Sequence, residues 1–159
     1  MKKSQLHSQI FIYILTIIII SLVFIYGYNA IVNFKNRAEQ VACLKFQNDL
    51  KNAVESTSGD FGSVRKKDLQ VCGNNRLVCF VESFDNPSLP AGTDPIIKDS
   101  VNSNTGRNVF LIEKIAQQSF YAGVISVEPD VLCVRSVENK ISLRLESKGD
   151  HVLLSRWAG

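Results

Sequence analysis

Histidine is scarce in this sequence: His7 and His151 are the only two. No C-x-x-C pair occurs either, so the usual zinc-ligand spacings cannot be assembled. Nucleophilic catalysis needs a nucleophile with a base in reach. No G-x-S-x-G, P-loop or dinucleotide glycine pattern is present. Glu128 and Asp130 flank Pro129 and read as solvated turn residues, and Gly59-Asp60-Phe61-Gly62 reads as a plain turn. The chain is therefore expected to be no enzyme, with no catalytic residue, cofactor or metal. Basic clusters are equally sparse. Arg65, Lys66 and Lys67 stand alone, flanked by Asp60 and Asp68, and read as a solvated strand edge. Of the 18 Lys and Arg residues, Lys2 and Lys3 sit at the start, leaving 16 against 15 acidic residues. A near-neutral domain without clustered cations is not expected to bind nucleic acid. The one N-x-S/T sequence, Asn86-Pro87-Ser88, is disqualified by its proline.

Charge is absent from Ile10 to Val32, a run with only Thr16 and Ser21 as hydroxyl residues besides tyrosines. A bilayer core needs roughly 20 helical residues. Tyr26 and Tyr28 stand at one end, where a phenol ring suits the interface. A cleaved secretory signal has an apolar core of about 7–15 residues and an A-x-A-like site; Tyr26-Gly27-Tyr28-Asn29-Ala30 matches that poorly. The expectation is one retained transmembrane helix, with the lipid bilayer as a partner. Lys2 and Lys3 favour a cytoplasmic N-terminus, whereas Lys35 and Arg37 oppose it.

Proline is missing from residues 10–56, so the anchor can run on as helix for about 70 Å. Ala42, Cys43, Phe46, Leu50, Ala53 and Val54 recur on one helical stripe, with Asn48, Lys51 and Glu55 opposite. Phe34, Val41 and Leu44 lie away from that stripe. They read either as scattered exposed residues or as a face that packs against neighbouring helices in an assembly. The helix is expected to end near Ser56-Thr57-Ser58-Gly59 with a left-handed glycine cap.

Four cysteines remain: Cys43, Cys72, Cys79 and Cys133. Gly73-Asn74-Asn75-Arg76 is a turn signal, and strands at 63–72 and 77–83 on either side would bring Cys72 and Cys79 together. Cys72–Cys79 is the first expected bridge and Cys43–Cys133 the second, which implies an oxidising compartment. The alternative is four buried thiols acting as small apolar residues.

A polar stretch from Asp85 to Asn108 follows, in which Asp94 and Pro95 read as N-cap and first residue of a short helix through Val101. Strand-like runs are Val109–Ile112, Ala122–Val127, Val131–Val137, the alternating Ile141–Glu146 and Val152–Trp157. The last three are expected to form an antiparallel meander against which the helix packs. The fold class is α+β. Its parts are a cytoplasmic segment 1–9, a transmembrane helix 10–32, an amphipathic continuation 33–56 and a globular domain 57–159.

This layout resembles type IV pilins and their relatives. Lys2-Lys3-Ser4-Gln5, followed by Leu6-His7-Ser8-Gln9-Ile10-Phe11, resembles an archaeal class III signal. The resemblance implies cleavage by a prepilin peptidase between Ser4 and Gln5, with Gln9 at the mature position where the family usually has Glu. Ser4 also departs from the usual Gly or Ala. The implied function is a membrane-anchored pilin-like or pseudopilin-like subunit of a surface filament or secretion assembly, oligomerising through its N-terminal helix. The alternative is a single-pass tethered extracytoplasmic binding or sensor domain that does not polymerise.

Overall fold

A computed structural model describes residues 3–73, 75–83, 89–113 and 116–157, with the backbone alone for 3–9, 116 and 117. One helix, α1 (Lys3–Ser58), runs without interruption for 56 residues. After it come β1 (Val64–Gln70), β2 (Leu77–Val81), α2 (Pro95–Asn102), β3 (Val109–Ile112) and β4 (Ala116–Phe120). The chain closes with β5 (Ile125–Val127), β6 (Val131–Arg135), β7 (Lys140–Ser147) and β8 (Val152–Arg156). The fold is α+β. Two units divide within α1: Met1–Glu39, and Gln40–Gly159, which holds the rest of the helix and every strand.

In the second unit the strands form two four-stranded sheets, in the orders β1-β7-β8-β5 and β4-β3-β2-β6. All pairings are antiparallel except β5 with β8. The sheets meet at two corners. Glu138 and Asn139, both with positive φ (51° and 58°), make the tight turn that bridges Val137 to Lys140; two consecutive positive-φ residues suit a two-residue hairpin turn. At the other corner the Ser83 amide donates to Ile125 O (3.0 Å), and Glu82 Oε2 accepts from Val127 N (2.8 Å). Asn108 ties this corner: its Nδ2 donates to Ser83 Oγ and Gly123 O, and its Oδ1 accepts from Ala122 N. A buried amide is tolerated here because its donor and acceptor are both engaged.

The interior between the sheets is filled by Leu143, Leu145, Leu154, Val78, Phe80 and Leu111, with Cys43, Phe46, Leu50, Ala53 and Val54 of α1 packed against them. Those α1 residues are the helical stripe read from the sequence. Phe46 meets Phe120 edge-on, ring centroids 6.0 Å apart. Each fully buried Phe or Leu contributes about 1.5–3 kcal/mol. β7 alternates buried and exposed residues because only one of its faces is covered; β3 is buried throughout because both are.

Several expectations are corrected. Residues 63–72 and 77–83 do not form a hairpin: β1 pairs with β7 and β2 with β3 and β6. The three-strand meander fails as well, since β6 belongs to the second sheet and only β7 and β8 pair. Alternation reports which face of a strand is buried, not which neighbour it pairs with. The glycine with positive φ after α1 is Gly62 (76°) rather than Gly59. The α1 end at Ser58 and the Asp94 cap of α2 agree with the sequence reading. Of the polar stretch from Asp85, residues 85–88 lie outside those described, as does Asn74 of the turn before β2.

Candidate functional site

From Ile10 to Val32 the side chains of α1 are exposed and uncharged. Its two aliphatic hydroxyls are satisfied within the helix: Thr16 Oγ1 donates to Tyr13 O and Ser21 Oγ to Ile17 O, both at 2.8 Å. The helical backbone and these two hydroxyls therefore need no water, which leaves the phenols of Tyr13, Tyr26 and Tyr28 and the Asn29 amide as the polar side-chain groups of the run. By length and composition this helix can cross a membrane. Ser4, Gln5 and Gln9, the residues of the signal-like motif, have helical backbone, and their side chains lie outside those described. Phe34 is 76% exposed in the first unit; Val41 and Leu44 are 64% and 57% exposed in the second. Val41 and Leu44, three residues apart, share one side of the helix.

All four cysteines are oxidised, but not in the expected pairs. The bridges are Cys43–Cys72 and Cys79–Cys133. The reason is sidedness. Cys72 faces the interior shared by both sheets, with Cys43 of α1 beside it. Cys79 faces the opposite side of the second sheet, with Cys133. A seven-residue separation places Cys72 and Cys79 on two different faces, because the chain between them crosses from one sheet to the other. Cys79 and Cys133 are direct register partners on β2 and β6. The Ser136 amide donates to Arg76 O and the Glu82 amide to Asp130 O, which marks those pairs as hydrogen-bonded and makes Cys79–Cys133 a non-hydrogen-bonded pair. Side chains approach most closely at such pairs, so two opposed cysteines can bridge there.

The outer face of the second sheet carries Cys79, Val81, Phe110 and Ile112 and is covered by α2, whose one buried side chain is Ile97. Eight residues of helix cannot cover four strands. A cavity of about 380 Å³ remains, walled by Leu77, Ile97, Ile112, Val131 and the Cys79–Cys133 bridge. Its polar lining comes from Thr93 and Asp94 at the start of α2. Asp94 Oδ1 accepts the Ile96 amide at 2.9 Å, as an N-cap does. The sequence reading placed the Asp94 cap but missed the cavity, because Leu77, Ile112 and Val131 converge from three strands that are distant in the chain.

A second recess, of about 310 Å³, lies between α1 and the 121–124 loop and is lined by Lys51, Glu55, Tyr121 and Asp150. His151 Nδ1 contacts Asp150 Oδ1 at 2.6 Å, and that hydrogen bond, foremost, holds the Asp150 carboxyl below its ordinary range. On the first sheet, the Arg65–Asp60 pair (2.7 Å) and the Lys66–Asp68 pair (3.7 Å) decorate edge strand β1, where the sequence placed a solvated basic trio. Lys66 also stands 5.5 Å from the centroid of the Trp157 ring. Among the described residues no cluster of three or more His, Cys, Asp or Glu side chains could hold a metal ion.

The class these features define is a doubly disulfide-bonded α+β domain that continues from an apolar helix able to span a bilayer. No protein-family model, curated protein or solved structure matches the chain.

Proposed function

We propose that the chain is a membrane-anchored, pilin-like structural subunit of a surface filament or secretion assembly, with its disulfide-bonded domain on the extracytoplasmic side. The observation that carries this reading is the continuity of α1: the uncharged run from Ile10 to Val32 and the buried stripe from Cys43 to Val54 belong to a single helix. An anchor built this way can rest in the bilayer before assembly and pack among copies of itself afterwards. The exposed apolar residues Phe34, Val41 and Leu44 support that second state. Two disulfides support an oxidising surrounding for the domain and hence an N-terminus on the cytoplasmic side.

The test is the mature N-terminus of membrane-extracted protein, read by mass spectrometry with and without a co-expressed archaeal prepilin peptidase. The expected start is Gln5, dependent on the peptidase. A start at Met1 or Lys2 under both conditions sinks the processed-subunit reading and leaves a tethered binding domain.

A further inference from the structure

We propose that the cavity beneath α2 is a binding site for a small, neutral, aromatic molecule carrying one N–H or O–H donor. This site does not depend on whether the chain polymerises. Its size is the first argument. A dry cavity of about 150 Å³ takes a single benzene ring, and ligand pockets begin near 300 Å³; about 380 Å³ suits a two-ring molecule.

Its lining is the second argument. Ile97, Ile112, Leu77 and Val131 present aliphatic walls, which disfavour a charged ligand through desolvation. Two disulfide sulfurs also line it, and sulfur packs favourably against aromatic ring edges. Buried Ile97 and Ile112 lie deep, whereas Leu77, Val131 and Cys133 are only half-buried. That half-buried set marks the entrance.

The third argument is the polar group. Asp94 lines the cavity with Oδ1 committed to the Ile96 amide. Among the described residues, none donates to its Oδ2, which is left to accept a donor from the ligand. Lys98 is the nearest cation along the helix, and its Nζ is turned to Ala91 O at 3.3 Å. A carboxylate in this position disfavours anions of the same size and accepts a donor, while the aliphatic walls set the neutral donor above a cationic one.

The probes are indole and N-methylindole, which share the two-ring system and differ at the nitrogen, where a methyl group replaces the donor hydrogen. Each is titrated against the full chain in lipid nanodiscs, reading the methyl resonances of Ile97, Ile112 and Val131. Indole is expected to shift these methyls saturably, and N-methylindole to bind about tenfold more weakly. Asp94→Asn keeps the helix cap, because asparagine caps as well as aspartate, but it puts an amide donor where Oδ2 was. In that variant the indole preference should vanish while N-methylindole binding stays unchanged. Val131→Phe should fill the cavity and abolish both, with the amide spectrum of the first sheet retained as a check on folding. The proposal is overturned by no saturable shift at Ile97 and Ile112. It is overturned equally by identical binding of the two probes, or by an indole preference that survives Asp94→Asn.

Discussion

The two faces of the second sheet are built from the same strands and close in different ways. Its inner face meets α1 and the first sheet, and Val78, Phe80, Val109 and Leu111 are buried there with the Cys43–Cys72 bridge. Its outer face presents residues just as apolar and is covered by an eight-residue helix with one buried side chain. One face is sealed and the other keeps a cavity of about 380 Å³. The area a covering element can offer, rather than strand hydrophobicity, decides whether a sheet face seals. The Cys43–Cys72 bridge ties α1 to the segment after β1 beside the inner face, whereas Cys79–Cys133 joins β2 to β6 on the outer one.

The largest expected contrast comes from truncating each face in turn. Phe46→Ala should cost about 3–5 kcal/mol and lower amide-exchange protection in both sheets. Ile97→Ala should cost only about 2 kcal/mol, at the low end for such a change, because an already open cavity loses fewer contacts. Its loosening should be confined to α2 and the strands beneath. Equal costs, with both sheets loosened by either change, would merge the two faces into one cooperative unit.

Removing the bridges sharpens the same comparison. By chain entropy, a 29-residue separation corresponds to about 3.6 kcal/mol and a 54-residue separation to about 4.2 kcal/mol. Chemical denaturation of Cys79→Ser with Cys133→Ser should therefore show a loss about 0.5 kcal/mol greater than that of Cys43→Ser with Cys72→Ser. The reverse order would mean that core packing around Cys43 outweighs loop entropy.

A smaller effect is expected at the start of α2. Asp94→Ala removes the side chain that accepts the Ile96 amide and should cost about 1 kcal/mol, whereas Asp94→Asn should be nearly neutral. Thermal melts of the two variants measure the difference.

The smallest effect is electrostatic and belongs to the exposed face of the first sheet. Glu146 is held below its ordinary range, foremost by the hydrogen bond from Lys148 and then by the charges of Lys148 and Arg144. Asp68 is held low mainly by the Ser142 hydroxyl, with Lys66 and Lys140 adding to it. Carboxyls lowered in the folded state contribute stability above their unfolded values, and that contribution disappears as pH falls through the folded ones. Stability should therefore decline slightly below about pH 4, and Lys148→Ala should flatten part of that decline. An acid titration of the unfolding midpoint in both proteins reads this directly.

Sequence periodicity alone determined much of the molecule. The uncharged run from Ile10 to Val32, the buried stripe of Cys43, Phe46, Leu50 and Val54, the α1 end at Ser58, the Asp94-Pro95 helix start and the alternation of β7 were all legible. Each is a local matter: a repeat of 3.6 or 2 residues, or a cap within one turn, needs no knowledge of distant chain. Strand partnership, sheet count and cysteine pairing were not legible. β6 and β7 are joined by only four residues, 136–139, yet belong to different sheets, and Cys72 and Cys79 are seven residues apart yet face opposite sides of the second sheet. The Asn108 corner and the cavity beneath α2 arise from residues brought together only by that crossing. Tertiary structure alone decided these features, because contacts between distant segments depend on which face each strand turns inward and on what remains to cover the other.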